Sequence, residues 1–176
     1  RNAIYRFLVR VAIINLSPDL KYGDNFSMLI HTAGRINDHL EDEKQVNKAI
    51  RQIEGRKSKA SEKLGEIAEE IVTSSATGVP IDEILKFIYR NISSNYVLVI
   101  NSKHDKDNVL RACKPQAKFV FAIGGNIVSR GLTFDNLLSF FFSRNVKDKL
   151  QQNTYIQRAR MFGNRPYSKF FELSVP

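Results

Sequence analysis

The sequence predicts an α/β fold on a largely parallel sheet of about five strands, and three observations carry that expectation. Short apolar runs recur at Phe26–Thr32, Tyr96–Asn101, Phe119–Ile123, Leu137–Phe142 and Phe170–Val175. Helical spacings or long connections separate most of them, as crossover topology requires of parallel neighbours. The chain has 176 residues, 43% hydrophobic and 26% charged, which suits one sizeable domain able to bury its own core.

The elements follow in chain order. Ile4, Phe7, Leu8, Val11 and Ile14 recur at three- and four-residue steps, so Ala3–Leu16 is expected to be an amphipathic helix that Ser17-Pro18-Asp19 ends. Gly23, Asp24 and Asn25 turn the chain into the first strand, FSMLIHT. From Arg35 to Ser75 the character becomes charged, with Ile36, Leu40, Ile50, Ile53, Leu64, Ile67 and Ile71 at broadly helical spacing. Gly55 and the run Arg56–Lys59 are expected to divide this stretch into two helices, and Thr73–Val79 reads as a loop. Pro80 suits a first helical position, with Asp82 and Glu83 favoured by the helix dipole in the first turn. Ile81, Leu85, Ile88 and Ile92 then supply an apolar stripe. Residues 35–94 are therefore a helical insertion or subdomain on one α/β body covering 1–176. The triple Phe140, Phe141, Phe142 fits a strand buried on both faces better than a set of base-stacking rings.

The formal net charge is +9, which favours a polyanionic partner, nucleic acid before membrane. A basic solvated surface is the plainer reading of the same number. The charge is uneven: Arg144, Lys147, Lys149, Arg158, Arg160, Arg165 and Lys169 face only Asp148 across that stretch. Cys113 is the single cysteine, so no disulfide framework exists, in keeping with a reducing, cytoplasmic setting. A packing role for this thiol is favoured over nucleophilic chemistry. The apolar segment 3–16, interrupted by Arg6 and Arg10, is too short to span a bilayer. His31, His39 and His104 share no metal-ligand spacing, and no metal site is expected. The chain is also expected to be a piece of a longer polypeptide, since it opens on Arg1 and stops just after an apolar run.

Two stretches carry the chemistry. FAIGGNIVSRGLTF, from Phe121 to Phe134, runs an apolar strand into two glycines, which deliver backbone amides to the carboxyl edge of the sheet. YIQRARMFGNR, from Tyr155 to Arg165, presents Gln157, Arg158, Arg160 and Arg165 on an expected helix. Guanidinium charge is permanent and its fork matches phosphate oxygens. Neither a G-x-x-x-x-G-K-[ST] phosphate cradle nor a convincing set of magnesium-binding acids accompanies them. Asp82-Glu83 reads as helix-dipole acids rather than as an acidic magnesium box.

The order of the two stretches resembles motifs V and VI of the second RecA-like domain in superfamily 2 helicases and translocases. In detail, the Ser129-Arg130-Gly131-Leu132-Thr133 run and the Phe162-Gly163-Asn164-Arg165 ending look most like the Z-one domain of restriction-type endonucleases. FSMLIHTAGR resembles motif IV, and YVLVINSKH the following strand. The resemblance implies a RecA-like domain in which Arg160, then Arg165 and Gln157, act on phosphate held by another domain. It implies nucleotide contact at Gly131 and Thr133, and nucleic-acid backbone contact at Thr32, Arg35, Ser102, Lys103, Ser129 and Arg130. Thr133 stands where most superfamily 2 members have Asp, although it fits the Z-one pattern. Ala159, Met161, Asn164 and Asn153 stand where that family more often has Gly, Trp, Tyr and Asp. The implied activity is the C-terminal motor half of an ATP-dependent, DNA-binding restriction or defence endonuclease. ATP and Mg would be held mainly by an N-terminal P-loop domain of the same parent protein. The alternative is a catalytically inert nucleic-acid-binding or scaffolding domain of the same fold. A nuclease centre within the chain itself is a further possibility, disfavoured by the missing acids.

Overall fold

The computed structural model describes residues 2–18, 25–32, 36–100, 106–125, 133–143 and 167–174. Among these residues five strands form one sheet: β1 (Phe26–His31), β2 (Tyr96–Ile100), β3 (Phe119–Gly124), β4 (Leu137–Phe142) and β5 (Glu172–Ser174). Their order is β2-β3-β1-β4-β5 and every pairing is parallel. The helices are α1 (Asn2–Leu16), α2 (Ile36–Glu54), α3 (Ser58–Ser75), α4 (Ile81–Asn91) and α5 (Lys106–Cys113). This is an α/β fold consistent with a RecA-like arrangement, the class that the apolar runs predict.

Parallel strands need cover on both faces, and the two central ones receive it. β1 and β3 are buried at every position. Phe26, Met28 and Ile30 of β1, with Phe119, Phe121 and Ile123 of β3, pack into the core formed by α1 to α4. Leu29, Val120 and Ala122 face the opposite side, where Ala112 of α5 joins Phe134, Leu137, Phe140 and Phe142. Residues 36–91 thus pack with α1 in one continuous core on one side of the sheet. Phe7 of α1 anchors that side, edge-on to Phe121 at 5.4 Å and to Phe119 at 6.3 Å. Each such ring pair adds about 0.5–1.5 kcal/mol beyond its buried area.

β4 carries an irregularity. Ser27 is opposite Leu137 but Met28 is opposite Ser139, so Leu138 is an extra residue in the ladder. The bulge turns Leu138 toward the helical core while Phe140 and Phe142 turn to the other face.

Several boundaries differ from the expectations. α3 runs on to Ser75, through part of the expected loop, and ends where Ala76 takes a left-handed φ of 49°. Pro80 is the N-cap of α4, in extended conformation, one position before the helix. Ile84 is buried with Ile88 and Ile92, whereas Ile81 and Leu85 are only partly covered. Phe170 belongs to a 3-10 turn, Ser168–Phe170, so β5 begins at Glu172. The expected helix at 155–165 lies outside the described residues.

The short edge strand β5 is held by charge. Arg6 Nε donates to Glu172 Oε1 at 2.8 Å, Arg6 Nη1 donates to Glu70 Oε1 at 2.7 Å, and Arg10 pairs with Glu172 Oε2. Burial, aided by the charge of Arg6 and opposed by Glu70, lowers the Arg10 guanidinium to about 10, so it stays charged at neutral pH. The Glu172 side chain is 15% exposed and that of Glu70 59%. Removing one partner of a largely buried pair strands the other charge, and Glu172→Ala is expected to cost about 2–4 kcal/mol. Glu70→Ala, at the exposed end, is expected to cost at most about 1 kcal/mol. Urea denaturation of both variants measures this contrast, and equal losses would show that the network does not anchor the edge strand.

Candidate functional site

The carboxyl ends of β1, β3 and β4 are laced together. The Thr32 N–H donates to Gly124 O at 3.1 Å, closing the end of β1 on that of β3. The Ser143 N–H donates to His31 O at 3.0 Å, closing β1 on β4. The Ser143 hydroxyl reaches across to Asp42 Oδ2 of α2 at 2.5 Å. His31 is buried and lies against the rings of Phe142, at 5.5 Å, and Phe140, at 6.2 Å. The turn after β3 therefore leaves from the middle of the sheet, beside the central strand.

At the opposite edge a second network sets the starts of the strands. The Ser27 N–H donates to Asn136 O at 2.9 Å, and Asn136 Nδ2 donates to Asn25 O at 3.0 Å. Tyr167 completes it by donating its hydroxyl to Asn136 Oδ1 at 2.9 Å. The Asp135 N–H donates to Cys113 O at 2.9 Å, tying the approach to β4 onto the end of α5.

Of the residues proposed from sequence, two fall within the described part of the chain. Thr32 is at the carboxyl edge and only 2% exposed, so its side chain meets the protein interior. Thr133 is exposed and stands two residues before Asp135, at the amino edge. The six residues of β4 separate the two edges by about 17–20 Å, so these threonines do not share one small-ligand site. Arg35, Ser102, Lys103, Ser129, Arg130, Gly131, Gln157, Arg160 and Arg165 lie outside the described residues. Gly124 and Gly125, which open the glycine turn, are buried at the end of β3.

No group of three or more His, Cys, Asp or Glu able to hold a metal occurs among the described residues. Among them, too, no helix is long and apolar enough to cross a membrane. Asp42 and Asn136, the side chains that link the strand ends, went unnoticed in the sequence because lone polar residues beside apolar runs carry no spacing signal.

An all-parallel five-stranded sheet with helices against both of its faces defines the class. The chain belongs to the Z1 domain family, whose family model matches residues 1–173. Comparison with curated proteins and with solved structures gave no significant match.

Cys113 ends α5 half-buried, and burial first, then the nearby Asp135 carboxylate, push its thiol up from the ordinary value. The thiolate is the nucleophile, so a raised pKa lowers reactivity at neutral pH. Alkylation by iodoacetamide is expected to be several-fold slower in the folded chain than in urea, the gap narrowing as pH rises. Faster reaction in the folded state would instead mark an activated thiol.

Proposed function

We propose that this Z1 domain is the C-terminal motor half of an ATP-dependent DNA-processing protein, a restriction or defence endonuclease with helicase-like translocation. Support comes first from the paired stretches FAIGGNIVSRGLTF and YIQRARMFGNR in that order. The first of them begins in β3, next to the central strand, and Gly124 and Gly125 stand at the carboxyl edge where α/β sheets bind ligands. That placement of the glycine turn carries the reading.

In this proposal a P-loop domain of the parent protein holds ATP and Mg. Arg160, backed by Arg165 and Gln157, supplies positive charge to the phosphate as it transfers. Gly131 is the nucleotide contact in this reading, and Thr133, at the amino edge of the sheet, takes no part in it. Ser129, Arg130, Arg35, Ser102 and Lys103 hold the DNA backbone, so binding carries little sequence information. Thr32, being buried and bonded to Gly124 through its N–H, serves by fixing the strand end from which Arg35 follows.

In the parent polypeptide, Arg160→Ala is expected to lower DNA-stimulated ATP turnover by about a thousandfold or more. Nucleotide binding and melting temperature are expected to stay near those of the parent, because the finger acts mainly on charge that appears in the transition state. Arg160→Lys is not expected to rescue, since an ammonium lacks the planar fork. Lys169→Ala, on an exposed 3-10 turn, is expected to change little. Unchanged turnover in Arg160→Ala would favour an inert nucleic-acid-binding module of the same fold.

A further inference from the structure

We propose that the cleft along α2 and the α2–α3 turn binds the sugar-phosphate backbone of a nucleic acid strand. The inference deepens the reading above, on which it rests for the nature of the partner, and it uses none of the residues of the two motif stretches.

Lys44, Lys48 and Arg51 are spaced four and three residues apart, which puts them on one face of α2 as a stripe about 10 Å long. All three are exposed, as are Lys57 and Lys59 at the start of α3. A cavity of about 440 Å³ is lined by Lys44, Asn47, Lys48, Arg51, Gln52 and Lys57. A second, of about 540 Å³, shares Gln52 and Lys57 with it and extends past Lys59 to Lys63. Among the described residues, no carboxylate lines either one.

All but one of the cations of this cleft lack an acidic partner among the described residues. Among the described residues, Lys44, Lys48, Arg51, Lys57 and Lys59 enter no ion pair. Lysines elsewhere are mixed: Lys86 holds both Asp82 and Glu83, while Lys106 and Lys114 enter no ion pair among the described residues. Lys63, at the far end of the cleft, holds Glu66. Acids stand at both ends of the stripe in sequence: Glu43 directly precedes Lys44, and Glu54 follows Arg51 by three residues. Asp42 accepts the Ser143 hydroxyl and Glu41 accepts a bond from Gln45, so neither carboxylate is spent on the stripe.

Five like charges around one concave surface repel one another and concentrate a positive field, which a polyanion relieves. A strand offers one phosphate per about 3.4 Å of axis, so the α2 stripe can meet about three of them. Asn47 and Gln52 add neutral amide donors between the charges. Among the described residues no aromatic side chain lines the first cavity, so contact there is to backbone rather than to stacked bases.

The test is fluorescence-anisotropy titration of a labelled oligothymidylate strand against the full chain over a range of salt. The triple variant Lys44→Gln, Lys48→Gln, Arg51→Gln is compared with a control of equal charge change, Lys86→Gln, Lys106→Gln, Lys114→Gln. Loss of three phosphate contacts should weaken low-salt affinity by about tenfold or more and flatten the log–log salt slope by about 2 to 3. The control should bind within about twofold of the parent chain. Melting curves check folding, and the substituted groups, all exposed, are not part of the core.

Equal binding by cleft variant and parent overturns the cleft, and so does an equal loss in the control. A third variant, Arg130→Gln with Arg160→Gln, separates the two proposals: loss there with none in the cleft variant leaves the motor reading standing and removes the cleft. Failure of the parent chain to bind at any salt contradicts both. Sedimentation with phosphatidylserine vesicles that depends on the cleft while strand binding does not would assign the surface to a membrane and overturn the proposal.

Discussion

β1 is the constraint from which the rest of this structure follows. It is the middle strand of an all-parallel sheet, and each of its residues is buried. A parallel strand in that position must be covered on both faces, because neither face can be left to water. α1 to α4 cover one face, and α5 with the phenylalanines of β4 covers part of the other. The polar groups at the ends of β1 are spent on its neighbours: Thr32 on Gly124, His31 O on Ser143, Ser27 on Asn136. The sheet edges are thereby fixed, and the glycine turn after β3 leaves from a rigid place.

Charge divides the molecule in two. Where acids and bases meet, at Arg6, Arg10, Glu70 and Glu172, they fasten the edge strand to α1 and α3. Where bases line the cleft, on one face of α2 and in the following turn, they are exposed and, among the described residues, enter no ion pair. The first arrangement serves stability, because breaking a buried pair strands a charge. The second costs some stability through repulsion, and a basic field of that kind suits a polyanionic partner.

The strands were legible because a buried parallel strand is a short, nearly continuous apolar run, and FSMLIH, FVFAIG and LLSFFF have no polar alternation to confuse the reading. α5 went unplaced because KDNVLRAC buries only Ala112 and so carries almost no periodic apolar signal. Phe170 misled for the converse reason: an apolar pair before Glu172 looks like strand, although the first ring fills the core from a 3-10 turn. The stripe Lys44, Lys48, Arg51 was present in the sequence at helical spacing. Apolar spacing points instead to the opposite face, where Ile50 and Ile53 are buried with Val46 and Ala49, although Leu40, which the same spacing includes, is exposed. The motif stretches were read from residue order and resemblance, and most of their side chains lie outside the described residues.

We propose that this domain contributes arginines to a nucleotide site whose phosphate cradle belongs to another domain. The direct measurement is ATP turnover by this chain alone, by the P-loop domain of the parent protein alone, and by the two joined, each with DNA present. Expected are no turnover from this chain, slow turnover from the P-loop domain, and a rise of several orders of magnitude on joining. Turnover by this chain alone, or no rise on joining the two correctly folded halves, would contradict it.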